Sequence, residues 1–379
     1  MKFLHMADLH IGITVNGFSM LDDQLYMLKQ IISYIKAEQP DVVLIAGDIY
    51  DQPNPGTSAI NIFDDFLSAM ADLAIPLLII NGNHDSPERL AFAAHILAQR
   101  QIFVYSVFDG TLHQHTFTDQ YGEVHFYMMP FIRPANVRHF FDEHSAPDYQ
   151  AGIQTVIQAA GIDLQERNVL MAHQIFISEN VNILRSASEI EPAGGLDGIE
   201  VEVISGFDYA ALGHLHEPQT VGHEHIRYSG SILKYSSSEY NQQKTVAMVE
   251  LGPKGELNIK LLPLIPLRDM RAVEDSLEAL LKAESAAQDH RDDYLLVTLT
   301  NEESNHDVLG EIRNTYPNVM ALTFVGENKP FPSDLQETAG IADKNPWQLF
   351  AEFFAEQNDS VLNPEQIKIV QTLSERTEP

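Results

Sequence analysis

The chain has 379 residues, 44% of them hydrophobic and 20% charged, with a formal net charge of −31 and no cysteine. That length supports two or three domains and at least one sizeable core. Without cysteine, disulfides and thiolate metal sites are excluded, so any metal falls to His, Asp, Glu or Asn. The acidity runs against unaided nucleic-acid binding: phosphates would have to meet bound metal, a few local basic residues or a partner.

The opening MKFLHMADLH turns polar at once, and no later stretch is long enough to span a bilayer, which reads as a soluble cytoplasmic protein with no membrane association. Lys2–Ala7 reads as a first strand. Leu25, Leu28, Ile31, Ile32 and Ile35 give Gln24–Ala37 the spacing of a helix. Asp41–Ala46 follows as a buried strand, Ser58–Leu73 as a helix and Pro76–Ile80 as a third strand. The pattern continues with a strand at Val124–Met129, a helix at Ile153–Ala160 and strands at Val169–Ala172 and Tyr209–Leu212. Uninterrupted apolar strands separated by helices predict an α/β domain whose sheets are covered on their faces.

The pattern changes near Pro263 and Pro266. Beyond them Arg271–Ala283 reads as a helix, Tyr294–Leu299 as a strand, Asp307–Thr315 as a helix and Val319–Phe324 as a strand, a second, small α/β module. A loose segment, Gly326–Lys344, precedes two helix starts of Asn followed by Pro, at Asn345 and Asn363. The first of these helices carries Trp347, Phe350 and Phe354, a stripe suited either to core packing or to docking a partner.

Five predicted strand ends run into chemistry-bearing residues: Asp8 and His10, Asp48, Asn83 with His84 and Asp85, His173, and His214 with His216. Ligands of open α/β sheets gather beyond the carboxyl ends of strands. Each stretch alone is an ordinary turn. Together they supply more oxygen and nitrogen ligands than one metal takes comfortably, and two divalent ions sharing a carboxylate accommodate them.

The order D-x-H, GD, GNHD, a single His and GHxH resembles the signature of the calcineurin-like metallophosphoesterases. Over almost the whole chain, MADLHIG, AGDIYDQ, INGNHDSPERL, ALGHLHEPQ and YSGSILKYSSSEYNQQK are similar to the SbcD family, the nuclease subunits of bacterial SbcCD complexes. The resemblance implies a four-layer α-β-β-α sandwich over residues 1–265, a small α/β capping domain that positions DNA over 266–328, and a linker and helical segment over 329–379 that binds the SbcC ATPase at the base of its coiled coil. It implies that Asp8, His10 and His216 hold one metal, that Asn83, His173 and His214 hold the other, and that Asp48 bridges them. His84 would face the scissile phosphate as the catalytic histidine. Manganese is the family's usual metal, and iron or zinc suits the same ligands. Asp85 is expected either to orient a neighbouring imidazole or to cap its own turn, and Arg89 either to touch phosphate or to sit on a helix surface. Archaeal and eukaryotic relatives carry a histidine where this chain has Asp51, so no catalytic role is carried over to that position.

The function implied is a DNA nuclease of repair and recombination, a 3′–5′ exonuclease on double-stranded ends and an endonuclease at hairpins. It would work as a homodimer, in a heterotetramer with SbcC, with Gln24–Ala37 and Ser58–Leu73 as candidate dimer surfaces, although amphipathic packing onto the sheet explains those helices equally well. Two alternatives stand beside it: a phosphoesterase acting on a small molecule or a phosphoprotein, and a DNA-end scaffold that makes no use of its site.

Overall fold

The computed structural model describes residues 1–142, 144–178, 183–189, 198–282, 290–300 and 307–325. The expected segment 329–379, with both Asn-Pro helix starts and Trp347, Phe350 and Phe354, lies outside the described residues.

The strand Lys2–Met6 pairs in parallel with Val42–Ala46, which continues in parallel to Leu77–Ile80 and Ile102–Tyr105. On its other side Lys2–Met6 pairs antiparallel with Thr245–Leu251, and Leu257–Pro263 closes that edge of a six-stranded sheet. A second six-stranded sheet has Gly122–Met129, Arg167–Ala172, Tyr209–Leu212 and His223–Tyr228 in parallel, with an antiparallel strand at each edge.

Side-chain alternation explains why these strands look uniformly apolar in sequence. Leu4, Val43, Ile45, Leu77 and Ile79 face the helices Leu21–Glu38 and Thr57–Leu73, where Met27, Ile31, Ile35, Phe63 and Phe66 are buried. The intervening Phe3, Leu44, Ala46, Leu78 and Ile80 point the other way and pack between the sheets against Phe126, Val169, Met171 and Tyr209. On the far side Leu170, Ala172, Ala210 and Leu212 meet Ile153 and Val156 of the helix Tyr149–Ala159. Both faces of each sheet are therefore covered, and the layers run α-β-β-α, as the resemblance implies.

The smaller module differs from its reading. Arg271–Ala283 is not one helix: Met270–Asp275 is a strand and only Leu277–Leu281 is helical. Met270–Asp275 lies parallel to Tyr294–Leu299, which lies parallel to Val319–Phe324, and this pairing outweighs the helical spacing of the stretch. The helix starts only after Ser276, whose side chain accepts the Ala279 amide. The module sits against the first helix through Asp23, a fully buried carboxylate that accepts from Arg268 Nη2 at 2.6 Å and from the Tyr294 hydroxyl at 2.9 Å. Among the described residues no helix is long and apolar enough to cross a membrane.

Candidate metal centre

Lys2–Met6, Val42–Ala46, Leu77–Ile80, Arg167–Ala172 and Tyr209–Leu212 all deliver their carboxyl ends to one place. The backbone there is bent out of the ordinary range. Asp8, His10, Asp48 and His214 have φ values of 53°, 42°, 49° and 102°. Non-glycine residues are seldom held at positive φ, and such strain collects at functional sites. Gly47 adopts φ 93°, and a methyl group at its position would strike the His173 ring. Glycine before Asp48 is thus required both by the turn and by the imidazole lying over it.

The side chains converge in two groups. In one, His10 Nε2 and His216 Nε2 stand 3.1 Å apart, beside Asp8. In the other, Asn83 Oδ1 lies 3.1 Å from His173 Nε2 and 2.9 Å from His214 Nδ1. Asp48 Oδ2 lies between the groups, 3.5 Å from His10 Nε2 and 3.3 Å from His173 Nε2. All seven residues predicted as ligands are brought together. His84 is close enough to His10 and Asp48 to count as metal-competent by proximity alone. Its Nδ1, however, donates to the Asp51 carbonyl at 2.8 Å, which leaves Nε2 as its free nitrogen.

The electrostatics follow from burial. Loss of water pushes the Asp8 carboxyl up to about 7, against the pull of His173 and His216. Burial opposes the charge on Asp48 too, but His173 and His10 overcome it and hold Asp48 far below the usual range. Burial drives His10 well down and His214 down to about 3. For His173 the loss of water is outweighed by Asp48, which carries it up to about 9. The donor set fits divalent cations: carboxylate and amide oxygens stand with imidazole nitrogens, and the buried His10 Nδ1 has no hydrogen-bond partner among the described residues.

The Asp85 carboxylate is engaged by backbone amides of its own turn and of the turn after Asp48. Its Oδ2 accepts the Ile49 amide at 3.1 Å and the Gly82 amide at 3.0 Å, and its Oδ1 accepts the Tyr50 amide at 3.0 Å. It ties the Asp48 turn to the Asn83 turn through backbone, with no imidazole among these partners. Arg89 is exposed on the short helix Pro87–Leu90. The Asp51 side chain lies 3.9 Å from His10 Nδ1, so what this position contributes to His84 is its main-chain carbonyl.

Residues 1–218 match the family model for calcineurin-like phosphoesterase, and residues 266–358 match that for the type 5 capsule protein repressor C-terminal domain. The SbcD subunit of the SbcCD nuclease from Staphylococcus saprophyticus is 32% identical over 326 residues, 85% of this chain and 84% of the relative. The chain belongs to the SbcD branch of the calcineurin-like phosphoesterases. It is a hydrolase of phosphate esters, and the family's dimetal chemistry agrees with the paired ligand groups. Among solved structures, a dimetal phosphatase from Danio rerio aligns with 12% identity over 70% of this chain and 96% of its own, at a TM-score of 0.42. The protein TT1561 of Thermus thermophilus aligns with 11% identity over 69% of this chain and 98% of its own, also at 0.42.

Behind the candidate ligands stand residues given no role in the site from the sequence, although Glu239 and Lys244 fall within the stretch YSGSILKYSSSEYNQQK. Gln24 Nε2 donates to the His10 carbonyl at 2.7 Å and to the Leu9 carbonyl at 3.1 Å, while its Oε1 accepts the Gly12 amide at 2.9 Å. Glu189 Oε1 accepts the His216 amide at 2.7 Å. Glu239 and Lys244 form a buried ion pair at 2.6 Å directly behind His216. Each lies in a loop or helix well separated in sequence from the His10 or His216 group it contacts.

Proposed function

We propose that this phosphoesterase is the nuclease component of an SbcC-dependent complex, acting on DNA ends as a 3′–5′ double-strand exonuclease and opening hairpins as an endonuclease. The observation that carries the metal assignment is the position of Asp48 Oδ2 between His10 Nε2 at 3.5 Å and His173 Nε2 at 3.3 Å. That position supports Asp48 as the bridge, with Asp8, His10 and His216 on one ion and Asn83, His173 and His214 on the other. Manganese is the proposed metal, with Fe2+ or Zn2+ chemically admissible on the same ligands.

Bound there, two divalent ions supply charge stabilisation and water activation for in-line attack at phosphorus. The chain's own groups do the rest. Asp85 holds the Asp48 and Asn83 turns in register through three backbone amides. The Asp51 carbonyl fixes the Nδ1–H tautomer of His84, so that Nε2 meets the phosphate or the leaving oxygen. With Nδ1–H held by the carbonyl, Nε2 donates only when the ring is the doubly protonated imidazolium. A proton or hydrogen bond delivered from that form contributes roughly 10²–10⁴-fold and leaves the Nδ1–H imidazole behind.

The net charge of −31 gives DNA little reason to bind the isolated chain, which supports SbcC and a second copy of this chain as sources of grip. In this reading residues 1–265 form the nuclease domain, 266–328 the capping domain, and 329–379 the SbcC-binding segment of a cytoplasmic assembly. The relative's name, which places it in an SbcCD nuclease, and the match over 266–358 support it.

The deciding experiment incubates the purified chain, with and without SbcC and ATP, with Mn(II) and either labelled duplex and hairpin DNA or bis-p-nitrophenyl phosphate. Cleavage of DNA ends and hairpins in the presence of SbcC is expected. Hydrolysis of the small ester alone, under every condition, would leave a phosphoesterase of small molecules or phosphoproteins and end the nuclease reading.

A further inference from the structure

The stretch YSGSILKYSSSEYNQQK ends in two charged residues that the two-metal chemistry leaves unused, Glu239 and Lys244. Both are withdrawn from water, Glu239 at 0% and Lys244 at 4% exposure. A carboxylate and an ammonium buried together cost several kcal/mol in lost hydration, and a hydrophobic pair would often serve stability as well. Their placement therefore asks for a reason other than packing.

Glu239 also accepts the Tyr235 amide at 3.3 Å and Lys244 also donates to Gln242 Oε1 at 2.6 Å, and their remaining side-chain contacts converge on His216. Its Nδ1 lies 2.8 Å from Ser188 Oγ, and that hydroxyl donates to Glu239 Oε1 at 2.7 Å. Glu239 Oε1 is also 3.4 Å from Nδ1 directly. The other oxygen of Glu239 accepts from Lys244 Nζ, which donates at 2.8 Å to the carbonyl of His216 itself. One ion pair thus grips a single residue at both its ring and its backbone. A carboxylate and a hydroxyl that accepts on Nδ1 require that nitrogen to carry the proton, so the Nε2 lone pair points toward His10 and Asp8.

We infer that Glu239, acting through Ser188 and anchored by Lys244, is a positioning residue that sets the tautomer and basicity of His216 and so tunes one of the two metal sites. This rests on the reading of His216 as a metal ligand. The second group, Asn83, His173 and His214, has no hydrogen bond to Glu239 or Lys244 among the described residues, and it serves as an internal control.

The test is Mn(II) titration calorimetry on the full-length chain, with thermal unfolding followed in parallel, for wild type, Glu239→Gln, Glu239→Gln/Lys244→Met and His216→Ala. Glu239→Gln is expected to weaken one Mn(II) step by roughly 10–100-fold and leave the other unchanged. The double variant removes both charges, avoids a stranded ammonium, and is expected to show the same one-step loss in a folded protein. Equal weakening of both steps, or wild-type affinities with only a lower melting temperature, overturns the inference and makes the pair structural. If His216→Ala leaves both steps intact, the ligand assignment itself falls. If His216→Ala removes a step while the double variant keeps both, only the positioning role falls.

Discussion

The two halves of the metal centre are held in different ways. His173 stands at the end of a central strand and donates from Nδ1 to the Ala46 carbonyl at 2.7 Å, at the end of another. Its orientation comes from the backbone of the two packed sheets. The other half depends on buried polar side chains: Gln24 holds the carbonyls of Leu9 and His10, Glu189 holds the His216 amide, and Ser188, Glu239 and Lys244 hold the rest of His216. His173, fixed by a strand carbonyl, needs no further desolvated charge, whereas His214 beside it has its amide held by the buried Asp8 carboxylate at 2.9 Å. A ligand carried on loops needs a satisfied network behind it, and such a network is costly when half made.

The largest effect should come from Asp48, the residue proposed to serve both halves. Asp48→Asn is expected to remove both Mn(II) binding steps and to reduce bis-p-nitrophenyl phosphate hydrolysis to background, measured by calorimetry and colorimetric assay. Retention of two tight steps would mean the halves do not meet at Asp48. His84→Ala belongs to neither half. Its kcat for ester hydrolysis should fall roughly 10²–10⁴-fold with both Mn(II) steps intact. Metal loss in that variant would place His84 among the ligands, where proximity alone already allows it.

These two residues were legible for the same reason as the rest of the strand-end set. Apolar runs such as Leu77–Ile80 end abruptly in Asn, His and Asp, and the topology sends five such ends to one edge. The α-β-β-α layers were legible in outline because strands covered on both faces lose their alternation in sequence. Glu239 was not, since its partner His216 is 23 residues away and nothing in local spacing joins them. Asp51 was given no catalytic role, and its part in holding His84 was not legible because it belongs to a carbonyl that every residue possesses. Met270–Asp275 was hidden by good helix formers in MRAVEDSLEALL, and only the parallel pairing with Tyr294–Leu299 makes it a strand.

Metal removal compares the halves at a smaller scale. After chelation, Mn(II) restored to about 100 times the dissociation constant of a site should stabilise the chain by about 2.7 kcal/mol for that site. The gain is read as a rise in melting temperature. It is expected from both sites in the wild type, because each brings buried carboxylate and imidazole into compensation with a cation. If EDTA leaves the melting temperature unchanged, the cluster does not bind the ion preferentially in the folded state.

The smallest expected effect isolates the loop-backed half without touching a ligand. Gln24 is fully buried, and its amide satisfies the Leu9 and His10 carbonyls and the Gly12 amide at once. Gln24→Ala leaves the Gly12 amide without its acceptor and takes one of two donors from each of the Leu9 and His10 carbonyls, which keep the Tyr235 hydroxyl and the Ile13 amide. The change should cost about 1–3 kcal/mol in urea unfolding of the metal-free chain. Because the His10 carbonyl is one of its partners, the same change should also weaken the Mn(II) step assigned to Asp8, His10 and His216. The step assigned to Asn83, His173 and His214, backed by the Ala46 carbonyl, should stay as it was. Equal loss at both steps would show that the two halves share their support after all, and that the strand ends alone do not fix either one.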